Sequence, residues 1–334
     1  MYDIITFGSA AKDIFVKPKK LTVLKYDKDF STNEGICFPL GSKIDVEEIQ
    51  FNTGGGGTNA AATFSKQGFK TAFCGAIGTD LAGQDIINEL KALKVDARFV
   101  VKKREKLTNH SVIILNEGQD TTILAYRGAA ELLDKKDIPW KKLKTKWIYL
   151  APLSGLLCDS FEEIVNFAQQ NKIKIAANPG MAQLALEHFP EIAKKIDVLI
   201  LNREEASFLT KISYEQEKEI FKKLDEMCPG IAVMTKGGDG VVVSDGKNIY
   251  SARPLKDRKI VDTTGAGDSF ASGFISDFIR ENGNIEKAIQ FGLANSAGCL
   301  SQIGAKGGLL KKGDIFEKIQ VVKEECDNNV CIVK

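Results

Sequence analysis

From about Lys146 onward, short apolar runs rich in strand formers alternate with helical patterns: Trp147 to Leu150, a helix, Ile173 to Ala177, further helices, then Val198 to Leu201. That alternation predicts a parallel sheet covered by helices. In the first of these helices Phe161, Ile164, Val165 and Ala168 recur at i, i+3, i+4 and i+7, which places them on one buried face. Ile86, Leu90 and Leu93 repeat the pattern earlier in the chain. Asp159 precedes one helical pattern and Asn202 directly follows a strand-like run, both where an N-cap is expected.

Two stretches break this rhythm, roughly Ala10 to Asn52 and Ala97 to Tyr126, where extended alternating segments such as Ser111 to Leu115 and Thr121 to Ala125 dominate. They predict a small β element apart from the main sheet. The expected organisation is a core of residues 1–9, 53–96 and 127–334 under a discontinuous β lid of residues 10–52 and 97–126. The chain has no internal repeat and no low-complexity tract.

Composition narrows the function classes. Lysine plus arginine total 46 against 44 acidic residues, a net charge of +2 that gives no footprint for nucleic acid or an acidic membrane. The lysine-rich stretches at 17–20, 102–104 and 141–146 are short and interrupted, as solvated faces are. Seven cysteines without CxxC spacing point away from a disulfide framework or a zinc ribbon and toward a reducing compartment. With only His110 and His188, histidine-cluster chemistry is not expected. No apolar run approaches the ~18 residues of a membrane span, and residues 1–8 carry no basic leader, so a cytoplasmic protein is expected.

The segment from Val261 to Phe270 carries the most chemistry: Asp262, Thr263, Thr264, Gly265, Ala266, Gly267 and Asp268 lead into a helical pattern that runs through Ile279. A small-residue turn entering a helix leaves backbone N–H groups free for a phosphate or a developing anion. An aspartate in such a turn is electrostatically unfavourable unless it handles a proton, which makes Asp268 a candidate general base; a plain helix start with Asp268 as its cap is the alternative. A second loop, Gly54 to Gly57 followed by Thr58 and Asn59, precedes another helical pattern at Ala60 to Gln67. Four glycines in a row have high entropic cost and little packing value, so close backbone approach to a ligand explains them better than a flexible linker does.

With both motifs in view, the chain resembles the ribokinase-like (PfkB) carbohydrate kinase family over nearly its whole length. The C-terminal family motif matches from Asp262 to Phe274, including Ser272 and Gly273, and the N-terminal one from Gly54 to Asn59 with Ala61, Gly68 and Gly78. The resemblance implies a three-layer α/β/α sandwich with a mostly parallel central sheet and a small β-sheet lid. It implies an anion hole from Gly265, Ala266, Gly267 and the Asp268 backbone, with the Asp268 carboxylate as base. Asp13, Gly55, Gly56 and Asn59 would hold the substrate. Asn202 and Glu205, in Asn202-Arg203-Glu204-Glu205, resemble the motif that positions ATP phosphates and Mg2+, Glu205 acting indirectly. Thr235, Gly237, Gly238 and Gly240 resemble the nucleotide-binding turn, Asn295 falls where the family contacts nucleotide, and Asp262 with the Thr264 carbonyl resembles a monovalent cation site for K+.

Departures from the pattern bear on the substrate. Where ribokinase, one member of the family, places an asparagine two residues before the pocket aspartate, this chain has Ala11, and Ala151-Pro152-Leu153-Ser154 lacks the glutamate that ribokinase places near ribose. Fructose, ketodeoxygluconate and nucleosides are other substrates of the family. A nucleoside would need an aromatic or apolar slot for its base beside Asp13, for which Phe15, Phe38 and Phe99 are candidates, while Arg127 could meet an acidic substrate. A non-catalytic sensor on the same fold would not need Asp268, and a dinucleotide enzyme would need the GxGxxG spacing that Gly8 to Asp13 lacks. The lid's exposed strand edges lead us to expect a homodimer through the lid.

Overall fold

The computed structural model describes residues 1–25, 34–116, 121–255 and 258–326; residues 26–33 and 117–120 of the expected lid lie outside the described residues. In chain order the strands are β1 (Tyr2–Phe7), β2 (Ala11–Pro18), β3 (Thr22–Lys25), β4 (Glu34–Cys37), β5 (Val46–Gly54), β6 (Thr71–Ile77), β7 (Asp96–Lys102) and β8 (Asn109–Leu115). They continue with β9 (Thr121–Tyr126), β10 (Thr145–Leu150), β11 (Lys174–Ala177), β12 (Val198–Asn202), β13 (Ile231–Thr235), β14 (Val241–Ser244), β15 (Asn248–Ala252) and β16 (Val322–Glu325). The helices are α1 (Gly56–Lys66), α2 (Leu81–Ala92), α3 (Leu156–Asp159), α4 (Phe161–Gln170), α5 (Met181–Leu184), α6 (Phe189–Ala193), α7 (Arg203–Thr210), α8 (Glu217–Met227), α9 (Ala266–Arg280) and α10 (Ile285–Leu300).

The main sheet is 10-stranded, in the order β16-β15-β14-β13-β12-β11-β10-β1-β6-β7. From β7 to β13 every pair is parallel, and β14 to β16 close that edge antiparallel. Parallel strands must bury both faces, which is why their sequences are continuous apolar runs. In β10, Ile148 and Leu150 join one core with Phe161, Ile164 and Phe189, while Tyr149 joins the opposite core with Phe64, Phe270 and Phe274. Two cores on two faces are the three layers expected of the chain.

The expected helical and strand runs form where the periodicity puts them, with three differences. β7 lies within the stretch assigned to the lid, yet it pairs in parallel with β6 as the return strand of a β6–α2–β7 crossover. The first helix begins at Gly56, ahead of Ala60, because glycine's low helix propensity hides the turn from a sequence reading. Asp159 ends α3, and the N-cap of α4 is Ser160, whose hydroxyl donates to the Leu156 carbonyl at 2.9 Å and caps nothing. Among the described residues five cysteines are free thiols, whereas Cys326 is disulfide-bonded, so disulfide chemistry is not wholly absent.

A smaller sheet of order β5-β2-β8-β9 makes the lid, with β2 antiparallel to β5, β8 antiparallel to β9 and β2 parallel to β8. Only Gly8, Ser9 and Ala10 separate β1 from β2, so the lid rises directly from the C-terminal end of a central strand. At that same end β1 is flanked by β6 on one side and β10 on the other, and chain connections leaving in opposite directions open a crevice there. No helix of the described residues is long and apolar enough to cross a membrane.

Candidate active site

The N-terminus of α9 faces the crevice. Its N-cap, Gly265, is left-handed at φ 77°, and a Cβ there would lie 2.3 Å from the Ala305 Cβ, so only glycine fits. The Ala266 N–H donates to the Thr263 carbonyl at 3.2 Å and the Ser269 N–H to the Gly265 carbonyl at 2.8 Å. Among the described residues the Gly267 and Asp268 N–H groups have no such backbone partner, as first-turn donors characteristically do not. Asp262 braces the turn from below: one oxygen accepts from the Thr264 N–H at 3.0 Å and hydroxyl at 2.8 Å, the other from the Gly304 N–H at 2.8 Å.

Asp268 sits in that first turn, and its Oδ2 accepts a hydrogen bond from Asn59 Nδ2 of α1 at 2.8 Å, across 209 residues of chain. The two glycine-rich loops therefore meet at one carboxylate. Burial raises Asp268 above the usual carboxylate range, against the opposing pull of the Asn59 bond and the Lys306 charge. The other amide atom, Asn59 Oδ1, is buried without a partner, an acceptor waiting for a donor.

Asp13 is buried on β2 opposite Ser111 of β8, with which its carboxylate shares a hydrogen bond. A Cβ on Gly54 would stand 1.9 Å from Asp13 Oδ2, so the glycine creates the seat for the carboxylate. Burial raises Asp13 as well; the Ser111 bond and Lys306 oppose it, while Asp262 and Asp268 add to it.

Two cavities meet at Gly265 and Asp268. The inner one, about 220 Å³, lies under the lid and is lined by Asp13, Gly55, Gly56, Asn59, Ser111, Tyr126, Arg127 and Thr264. The outer one, about 250 Å³, is lined by Asn178, Asn202, Glu205, Thr235, Ala266 and Gly267. Farther along the sheet lies a cavity of about 960 Å³ between Arg203, Lys236, Asp239, Arg253, Leu255 and Lys318.

The Asn202-x-x-Glu205 pair is a reciprocal cap of α7: the Glu205 N–H donates to Asn202 Oδ1 at 2.8 Å and the Asn202 N–H to Glu205 Oε2 at 2.9 Å. The cap holds one carboxylate oxygen and leaves the carboxylate in the wall of the outer cavity. Burial, reinforced by the neighbouring charges of Glu204 and Asp268, pushes Glu205 from 4.5 up to about 7 despite the Asn202 bond.

Not every expected residue reaches the site. Asn295 is fully buried: its amide donates to the Ser269 carbonyl at 2.7 Å and to the Thr63 hydroxyl at 3.4 Å, and its oxygen accepts from the Leu310 N–H at 2.9 Å. It ties α10 to α9, and no polar atom remains for a nucleotide. Gly237 and Gly238 form a short turn after β13, and Gly240 backs onto the Ala252 carbonyl; Lys236 and Asp239 between them line the large cavity instead. Unforeseen were Asn178, Ser111 and the ion pairs of Glu217 with Lys236 at 2.7 Å and Arg203 at 3.0 Å. Arg203 and Lys236 stand inside recognised motifs, but their shared partner lies on α8, where the sequence gives no sign of it.

A family model described as pfkB family carbohydrate kinase matches residues 24–312. Among curated proteins, a ribokinase of Haemophilus influenzae is 25% identical over 300 residues, 84% of this chain and 91% of its own length. Among solved structures, Arabidopsis thaliana ribokinase complexed with ribose and ATP aligns with a TM-score of 0.75 at 21% identity, over 93% of this chain and 96% of that one. A nucleoside kinase of Methanocaldococcus jannaschii aligns at 0.73 with 21% identity, over 93% and 96% of the two chains.

The half-buried Glu205 makes a pH test of the site. Folded, it holds its proton up to about pH 7, whereas an unfolded glutamate releases it near 4.5. Between those values the folded chain binds more protons than the unfolded one, so stability falls as pH rises. Glu205→Gln keeps the cap and removes the titration. Urea unfolding of the metal-free protein at pH 4.5 and 7.5 should show the variant losing about 1–3 kcal/mol less than the wild type over that interval. Equal losses would contradict a Glu205 that holds its proton in the folded chain.

Proposed function

Because the chain belongs to the pfkB family of carbohydrate kinases, phosphotransferases with an alcohol acceptor, we propose that it moves the γ-phosphoryl group of ATP to a primary hydroxyl of a small sugar. One observation carries this reading: Asp268 stands at the junction of two cavities with the free N–H groups of its own helix turn beside it. An acceptor hydroxyl in the inner cavity would give its proton to Asp268 while its oxygen attacks phosphorus. The bond from phosphorus to the β-phosphate oxygen breaks as the new one forms, and ADP leaves. The Gly267 and Asp268 N–H groups, with Gly265 and Ala266 keeping the turn small, would receive the negative oxygens of the group in transfer. Asp13 and the unpartnered Asn59 Oδ1 would accept hydrogen bonds from other hydroxyls, with Gly55 and Gly56 giving them room.

The outer residues fit a nucleotide and its metal. Asn202 and Thr235 line the outer cavity, and Lys236 and Asp239, from the turn of Gly237, Gly238 and Gly240, line the large one. Glu205 would hold Mg2+ through water, since that ion keeps several waters and needs few protein ligands. When bound, Mg2+ neutralises charge on the phosphates. Among the described residues the Thr264 carbonyl accepts only a thiol bond from Cys299, at 3.5 Å, so it retains capacity for K+ beside Asp262. Such an ion would order the anion-hole turn.

A sugar fits better than a nucleoside. None of the three phenylalanines reaches the inner cavity: Phe15 is buried in the lid, Phe99 is packed in the main core and Phe38 lines no wall of it, so among the described residues Tyr126 is its one Phe, Tyr or Trp side chain, beside Ile113 and Ile123. The homodimer expected through the lid has a physical basis in one lid face, where the register sets Phe51, Ile14, Val112 and Leu124 in a row. Phe51 and Leu124 are 57% and 59% exposed, an unusual cost for an isolated sheet.

A panel of pentoses, hexoses and nucleosides with MgATP, read as ADP release, tests the activity. At least one sugar should turn over faster than any nucleoside, and several-fold slower when tetramethylammonium replaces potassium at equal ionic strength. A nucleoside preference would overturn the sugar reading, and unchanged turnover without potassium would remove the cation site. By sedimentation the protein should be a dimer that Phe51→Lys with Leu124→Lys converts to monomer. A monomeric wild type would contradict the lid interface.

A further inference from the structure

Lys306 lies in the loop after α10 and is only 8% exposed. Its ammonium donates to Thr53 Oγ1 at 2.8 Å and to Glu89 Oε2 at 2.7 Å, and the Thr53 hydroxyl in turn bonds Glu89. The Lys66 ammonium of α1 donates to the Lys306 carbonyl at 2.8 Å and fixes the backbone at that point. Thr53 immediately precedes Gly54, the glycine against which the Asp13 carboxylate rests. The buried cation therefore stands behind the strand end that forms the Asp13 seat.

A staple between loop and strand does not require a charge. Burying an ammonium costs several kcal/mol before any partner is counted. Glu89, the carboxylate it touches, keeps 32% of its side chain exposed and is a weak reason for that cost. Burial lowers the Lys306 ammonium below the usual lysine range; Glu89 opposes that most, and Asp13 from β2 and Asp268 from α9 add to the opposition, an attraction that is reciprocal because Lys306 opposes the rise of both aspartates. Asp13 and Asp268 repel each other, and Asp262 adds to the repulsion felt by Asp13. Two carboxylates sharing a site without a cation retain a proton between them. A protonated Asp268 is no base.

We propose that Lys306 is a positioning residue whose ammonium, clamped between Thr53 and Glu89, supplies the buried positive charge that lets the Asp13 and Asp268 carboxylates stand together as anions. The roles of the two aspartates rest on the kinase reading above, but the charge relation does not and can be measured without substrate.

Carbon-13 titration of aspartate carboxyls, with the two resonances identified by Asp13→Asn and Asp268→Asn, reads it directly. In Lys306→Met both midpoints should move up, by roughly one pH unit for a cation removed from a partly buried site. Lys306→Arg should restore most of the difference. Lys306→Met with Glu89→Met leaves no carboxylate unpaired beside Thr53, so it should recover stability yet keep the raised midpoints, and it carries the test if the single variant fails to fold. With an accepted sugar, the acid limb of kcat/KM should move up in step. Wild-type midpoints in Lys306→Met, or their return in the double variant, would make Lys306 a staple and overturn the proposal.

Discussion

The N-termini of α1 and α9 approach each other beneath the lid, and the hydrogen bond from Asn59 Nδ2 to Asp268 Oδ2 joins them. Much of the site's geometry depends on that bond. It orients the Asp268 carboxylate toward the inner cavity, commits the nitrogen of Asn59 and so leaves its oxygen as the acceptor, and fixes the distance between a loop that shapes the Asp13 seat and a turn that presents free N–H groups. Each helix is anchored by the sheet face it covers, where Phe64 of α1 and Phe270 and Phe274 of α9 share a core with Tyr149. Side chains at a crevice are precise when the elements bearing them are rigid, and here both are packed on the same face.

The second constraint is electrostatic. Asp13, Asp268 and Glu205 are all raised by burial, and each carries a neighbouring carboxylate that adds to the effect or feels it. Such a site is unfavourable when empty and becomes favourable when cations and hydroxyl donors arrive, which is the charge pattern that ligand binding can exploit. The first-turn amides of α9 answer the opposite need, an excess of donors facing an anion. A turn braced by both oxygens of Asp262 keeps those donors fixed without reorganisation during the reaction.

The chemistry-bearing turns were legible because they are local. Gly265 to Asp268 and Gly54 to Asn59 announce themselves by composition, Asn202 by its place after a strand, and Glu205 only through the resemblance of Asn202-Arg203-Glu204-Glu205 to a family motif. Core faces such as Phe161, Ile164, Val165 and Ala168 follow from periodicity and are all buried. Features that depend on distant partners were not legible. β7 reads as a free alternating strand until β6 is placed beside it, and Asn295 reads as a site residue until α9 and the Leu310 segment claim both ends of its amide. Lys306 looks like one more lysine in a glycine-rich loop, because Thr53 and Glu89 lie 253 and 217 positions away. A one-dimensional pattern records which faces are apolar, and it does not record which buried polar groups will meet.

Replacement of Asp268 by asparagine isolates the central claim, because the amide keeps almost the shape of the carboxylate and its oxygen can still accept from Asn59, but it cannot take up the acceptor hydroxyl's proton. Turnover should fall by roughly 10² to 10⁴, about 3 to 5 kcal/mol of transition-state stabilisation, while nucleotide binding measured by calorimetry holds or tightens as a negative charge leaves the phosphate site. A folded variant that retains more than about a tenth of wild-type turnover has lost less than general-base removal takes away, and would show that Asp268 is not the base.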